Sequence, residues 1–173
     1  MNSRTSMAEW LAASHPDPRR VWAEWTEHGI AVIPVGQTFG AVRIPDAVVH
    51  AAVESTHPDD IAFALSERLD GPVIHDGRGR NFYPLLRPED RLDWHTTAPG
   101  VEQLTPHTHL GVPAMNRCEY TRETPIYWSV PGTEPSHCHS ASVALLIRVG
   151  TARLAEVTDQ PKTVVGRRDL GSA

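Results

Sequence analysis

A chain of 173 residues is about one domain's worth of polypeptide, and 40% apolar residues with five Trp can furnish one core. Its longest apolar runs, such as Ala141–Ile147, fall far short of the ~20 residues of a membrane span, so a membrane is not an expected partner. A net charge of −5 excludes a globally basic nucleic-acid binder while leaving room for a local basic groove.

The start, Met1 to Met7, has Arg4 but no apolar stretch behind it, unlike a secretory leader. Cys118 and Cys138 are the only cysteines and make no disulfide framework, which fits a cytoplasmic protein. Residues 7–157 read as a single domain, with 1–6 and 158–173 as flexible termini because apolar periodicity fails there. Ten His is a high count for this length and directs attention to chemistry.

In chain order, the first helix is expected after Asp17 as N-cap and Pro18 at its first position. Val21, Trp22, Trp25 and His28 share one face, which puts both Trp in the core, and Gly29 closes the helix. Ile30–Val35 reads as a buried strand and Ala41–Ile44 as a second. Pro45-Asp46 opens a helix to about Glu54, and Thr56 to Asp60 opens another with Ile61, Ala64, Leu65 and Leu69 at helical spacing. Val73–His75 and Arg80–Leu86 form a hairpin about Asp76-Gly77-Arg78-Gly79. Further strands are expected at Val101–Leu104, His109–Val112 and Ile126–Val130. Ser140–Glu156 ends the domain as a helix with Val143, Leu146, Ile147 and Leu154 inward. Helices early and late around a run of strands indicate an α+β fold, a mostly antiparallel sheet with flanking helices.

Three segments in this order resemble a known family. His28-Gly29-Ile30-Ala31-Val32-Ile33-Pro34-Val35 is similar to a G-W-x-V-F-P-L helix end and strand. Gly77-Arg78-Gly79-Arg80-Asn81-Phe82-Tyr83 is similar to an S-G-G-x-H-x-Y-F turn and strand. Pro99-Gly100-Val101-Glu102, with Thr108-His109-Leu110-Gly111-Val112-Pro113, resembles G-V-D-x-R…G-G-Y-V-V-A-P-P, and Ile126-Tyr127-Trp128 follows where Y-x-W is common. Together, over roughly residues 20–130, they resemble the N-terminal domain of bifunctional DNA primase/polymerases, the prim-pol branch of the archaeo-eukaryotic primase superfamily. The resemblance implies a prim-pol-like (RRM-like) scaffold.

It also implies an Asp-x-Asp or Asp-x-Glu pair on a strand before the turn, where i, i+2 carboxylates face one way and clamp a divalent ion. No such pair lies between Ile44 and Gly71; Asp59-Asp60 fall at a helix start, where acids complement the helix dipole. Asn81 stands in the family's His position and cannot transfer a proton. The expected activity is therefore that of a degenerate member without polymerase or primase chemistry.

Two constellations remain. The Gly-Arg turn can cradle phosphate with backbone amides while Arg78, Arg80 and Arg87 grip it, and Asn81 and Tyr83 line the same groove; a merely solvated turn has the same composition. His107 and His109, if both in a strand, face one way and could share Zn²⁺ with a third ligand from His137, Cys138, His139 or His75. Without metal they could serve as acid and base with Tyr127 assisting. The first constellation implies binding of a nucleotide, another phosphorylated ligand or single-stranded nucleic acid. The second implies a small-molecule enzyme of a biosynthetic pathway on the same scaffold, with a His-centred site.

Overall fold

The computed structural model describes residues 5–92 and 98–159, which form the α+β fold that the sequence indicates. In chain order the elements are α1 (Met7–Ala12), α2 (Pro18–His28), β1 (Ile30–Pro34), β2 (Gly40–Pro45), α3 (Asp46–Val53), α4 (Pro58–Leu69), β3 (Val73–Asp76), β4 (Asn81–Leu86), β5 (Glu102–Gln103), β6 (His109–Pro113), β7 (Ile126–Val130) and α5 (Ser140–Thr158). Among the described residues no helix is long and apolar enough to cross a membrane.

Local chemistry accounts for most boundaries. Asp17 accepts the Arg19 N–H at 3.1 Å, Pro18 starts α2, and Gly29 ends it at φ 73°, a left-handed geometry that glycine adopts freely. Sequence periodicity passes over α1 because it is only six residues long. Its available signal is the capping box, in which Glu9 N–H donates to the Ser6 hydroxyl and Ser6 N–H donates to the Glu9 carboxylate. Ser6 and Thr158 thus belong to secondary structure and its cap, while residues 1–4 and 160–173 of the expected termini lie outside the described residues.

Trp25 is buried with its indole N–H on the Val112 carbonyl at 3.0 Å, but Trp22 is 45% exposed and His28 is exposed too. The expectation of two core Trp on α2 fails because the buried stripe is narrower, Val21 and Trp25 alone, against a ribbon of only two strands. Trp22 rests edge-on against Trp25 at 5.3 Å. The expected strand Val101–Leu104 shortens to the two residues of β5, which pair with Val42 and Arg43.

Five strands pair antiparallel in the order β5-β2-β4-β3-β7, while β1 and β6 form a separate antiparallel ribbon. Alternation along the strands divides the core into two layers. Val42, Ile44, Val73, Phe82 and Leu86 pack toward α3, α4 and α5. Ala41, Ile74, Leu85 and Trp128 pack on the opposite side toward the ribbon, α1 and α2. Where β3 meets β7, Val73 pairs with Val130 but Ile74 with Trp128, so Ser129 is the extra residue of a β-bulge.

α3 is held closely. A Cβ at Gly150 of α5 would overlap the Val48 carbonyl oxygen, so the two helices touch backbone to backbone there. Arg153 donates to the Ala51 and Ala52 carbonyls at 3.1 and 2.8 Å, and Arg68 to Ala52 at 3.0 Å, which satisfies the open C-terminal end of α3. Gly150→Ala should gain intrinsic helix propensity yet destabilise the fold by ~1–3 kcal/mol through overpacking, read as a lower denaturation midpoint. An unchanged or raised midpoint would contradict this close packing.

Candidate functional site

Strand register places three rings side by side. His75 of β3 pairs with Phe82 of β4 on one side and Tyr127 of β7 on the other. The His75 ring stacks on Phe82 with centroids 3.9 Å apart and planes 5° from parallel, while Tyr127 stands nearly perpendicular at 5.2 Å. Asp46, the first residue of α3, comes from the turn that leaves β2, and its N–H donates to the Arg80 carbonyl at 3.0 Å. It is only 7% exposed.

These residues form a chain of hydrogen bonds. His75 Nε2 lies 3.0 Å from Asp46 Oδ1, and His75 Nδ1 lies 2.7 Å from the Tyr127 hydroxyl. A carboxylate only accepts, so Asp46 takes the Nε2–H and leaves Nδ1 as the acceptor for the Tyr127 O–H in neutral His75. Burial, reinforced by the charge of Asp46, pushes the Tyr127 phenol above its ordinary pKa, which keeps it protonated at neutral pH.

His50 lies one helical turn beyond Asp46 on the same face of α3 and meets the edge of Phe82 at 6.3 Å. Burial pulls its pKa down, Asp46 pulls it up, and His75 and Arg80 add to the lowering. His50 is therefore predominantly neutral at pH 7 and available as a base. All four residues line one cavity of about 190 Å³, completed by Thr56, Pro58, Ile61, Phe82 and Ser129. The bulge thus contributes its extra residue to the wall.

Of the residues singled out from sequence, Tyr127 and His75 are in this cavity, His75 bonded to Tyr127 and Asp46 and not brought to His107 and His109, and Arg80 lies beside it with Nε 4.0 Å from Asp46 Oδ2. Arg80 belongs to the turn rather than to β4, at a left-handed φ of 57°. The turn amides are already used: Arg78 and Gly79 N–H both donate to Asp76 Oδ1 at 3.1 and 2.8 Å, and Asn81 donates its side-chain amide to the Gly79 carbonyl. Arg78 is exposed. Arg87 sits past the other end of β4, paired with Asp90 at 3.1 Å and Glu89 at 3.9 Å. Tyr83 packs on the opposite sheet face from Phe82, and burial raises its pKa. The expected phosphate-binding residues are thus divided between two faces and two ends of the hairpin.

The His pair also separates. His107 sits in a turn at φ 71° with its N–H on the Val35 carbonyl, and only His109 belongs to a strand, so the i, i+2 geometry that would aim both rings one way is absent. Both are exposed, and neither lines the cavity beside Tyr127. Two of their other expected third ligands are engaged elsewhere. His137 Nε2 is 3.0 Å from the Thr38 carbonyl and the Cys138 thiol is pushed up to about 12 by burial, while His139 is exposed at the N-cap position of α5 with no side-chain capping bond. Among the described residues no three His, Cys, Asp or Glu side chains are grouped so as to hold a metal ion, so the zinc expectation finds no ligand set there.

Asp46, His50 and His75 as a group escape sequence reading. Asp46 and His50 do show the i, i+4 spacing of one helix face, but the separation of 52 positions between His75 and Tyr127 hides a contact that only the β3–β7 register creates.

His50 offers a direct check. Its folded pKa lies below the unfolded value near 6.5, so the unfolded chain binds more protons between the two. Stability should therefore fall as pH drops from about 6.5 through the folded pKa, and level off below it. NMR titration should find the His50 ring titrating below 6.5, and His50→Gln should remove that part of the pH dependence of denaturation. An ordinary or raised His50 titration would contradict the burial described. No family model, no curated protein and no solved structure matches this chain.

Proposed function

We propose that the chain is a small-molecule enzyme whose Asp46–His75–Tyr127 relay transfers a proton at a carbon atom of a substrate held in the cavity. The observation that carries the reading is the pair of hydrogen bonds on His75, 2.7 Å to Tyr127 and 3.0 Å to Asp46, between residues that all line one cavity. When His75 takes the phenol proton, Asp46 stabilises the imidazolium and the tyrosinate oxygen becomes a base. Run in reverse, the relay returns the proton and Tyr127 acts as acid. His50, neutral on the same cavity, is the second group able to accept or return a proton.

A covalent mechanism has less support. The hydroxyls that line the cavity, Thr56 and Ser129, have no hydrogen bond to a base among the described residues, and Cys138 is a buried thiol outside it. Nucleotide or nucleic-acid binding through Arg78, Arg80, Arg87 and Tyr83 is the weaker reading, because these residues do not share a groove.

We retain the prim-pol resemblance as a proposal about the scaffold alone. In place of a strand with paired acids, the segment between β2 and β3 holds two helices. Asp59 and Asp60 occupy the first turn of α4, where the Ser55 hydroxyl donates to Asp60.

The test incubates the protein with a mixture of small carbonyl and carboxylic metabolites in D₂O and reads deuterium uptake by mass spectrometry. At least one compound should exchange, and His75→Asn and Tyr127→Phe should each slow it by about 10²–10⁴-fold while circular dichroism stays native. Exchange that survives both substitutions, or no exchange at all, would refute the relay.

A further inference from the structure

We infer that the mouth of the cavity binds the carboxylate of a small planar substrate, with Arg80 gripping the carboxylate and Tyr120 lying against the planar body. The inference rests on the acid–base reading above and names the class of molecule on which that site acts.

Arg80 presents a cation beside the relay. Its carbonyl accepts the Asp46 N–H, which pins the turn to the start of α3, while its side chain is 76% exposed. The guanidinium makes no hydrogen bond among the described residues, and at 4.0 Å its approach to Asp46 leaves its N–H groups free to fork onto a carboxylate.

Tyr120 supplies a ring next to Tyr127, one of the residues that line the cavity. It is 53% exposed. Its ring lies against Gly77, where a Cβ would come within 2.8 Å of Tyr120 Cδ2. Gly77 is itself tied down by its N–H on the Pro125 carbonyl at 2.9 Å. Tyr120 also faces Tyr127, 6.4 Å away and tilted 68°, which sets it beside the relay.

Inside, Phe82, Ile61 and Pro58 provide apolar wall for the body of the ligand, beside the proton-transfer groups. The volume of about 190 Å³ is below the ~300–1,000 Å³ of pockets for drug-sized ligands, so the occupant is small. Asp46 beside Arg80 offsets much of the guanidinium's charge, so a phosphate dianion gains too little attraction to repay its larger desolvation cost, and a monoanion is favoured.

Benzoate, cyclohexanecarboxylate and inorganic phosphate are the probes, each titrated into the full chain while NMR follows the His50 and His75 ring protons. Benzoate should shift both rings saturably, and cyclohexanecarboxylate and phosphate should bind about tenfold more weakly or not at all. Arg80→Gln should weaken benzoate by about tenfold or more, and Tyr120→Leu by roughly fivefold. Benzoate that shifts neither ring, binds equally well after Arg80→Gln, or binds more weakly than phosphate overturns the inference. Tyr127-dependent deuterium exchange in a protein that ignores benzoate overturns this inference alone. Saturable benzoate binding without any exchange supports it while removing the relay.

Discussion

The hydrogen bond between His75 and Asp46 is the constraint on which the arrangement of the site depends. A carboxylate only 7% exposed is costly to keep without partners, and here the partners come from different parts of the fold. His75 approaches Asp46 from the middle of the sheet, Arg80 approaches from the turn, and the Asp46 N–H is held by the Arg80 carbonyl. Breaking the His75 contact would leave one polar atom on α3 and another on β3 without their mate, each at a desolvation cost of about 1–3 kcal/mol. The bond thus ties the helical layer to the sheet at the point where the cavity opens.

Much of the fold is legible in the sequence because its boundaries are written in local chemistry. Asp17-Pro18 and Gly29 mark both ends of α2, and the β-branched run after Gly29 marks β1. The six residues of α1 are too few for periodicity, and the width of a helix's buried face depends on what it meets, which is why Trp22 misled. The site was legible only in fragments. Tyr127 and Arg80 stand out by residue type, but His107 and His109 look like a pair only if both are extended, and His107 is not. His75 belongs to the site because β3 lies between β4 and β7, a strand order that no local pattern encodes.

The divided hairpin illustrates the same point in reverse. Arg78, Arg80, Asn81 and Arg87 are close in sequence, and composition alone suggests one anion cradle. Asp76 instead absorbs the turn's amides, and the length of β4 carries Arg87 away to Asp90. One arginine of the set is left beside the His75 cavity, which makes a local cation rather than a phosphate groove.

The seating of α3 has a consequence for how the cavity meets a guest. This helix carries Asp46 and His50 of the cavity wall, is wedged against α5 at Gly150, and has its far end gripped by two guanidinium groups. A rod fixed in this way has little room to hinge, so an arriving molecule encounters donors and acceptors already at their stations. The disorder that arranging them would remove is lost when the chain folds, not when the guest arrives.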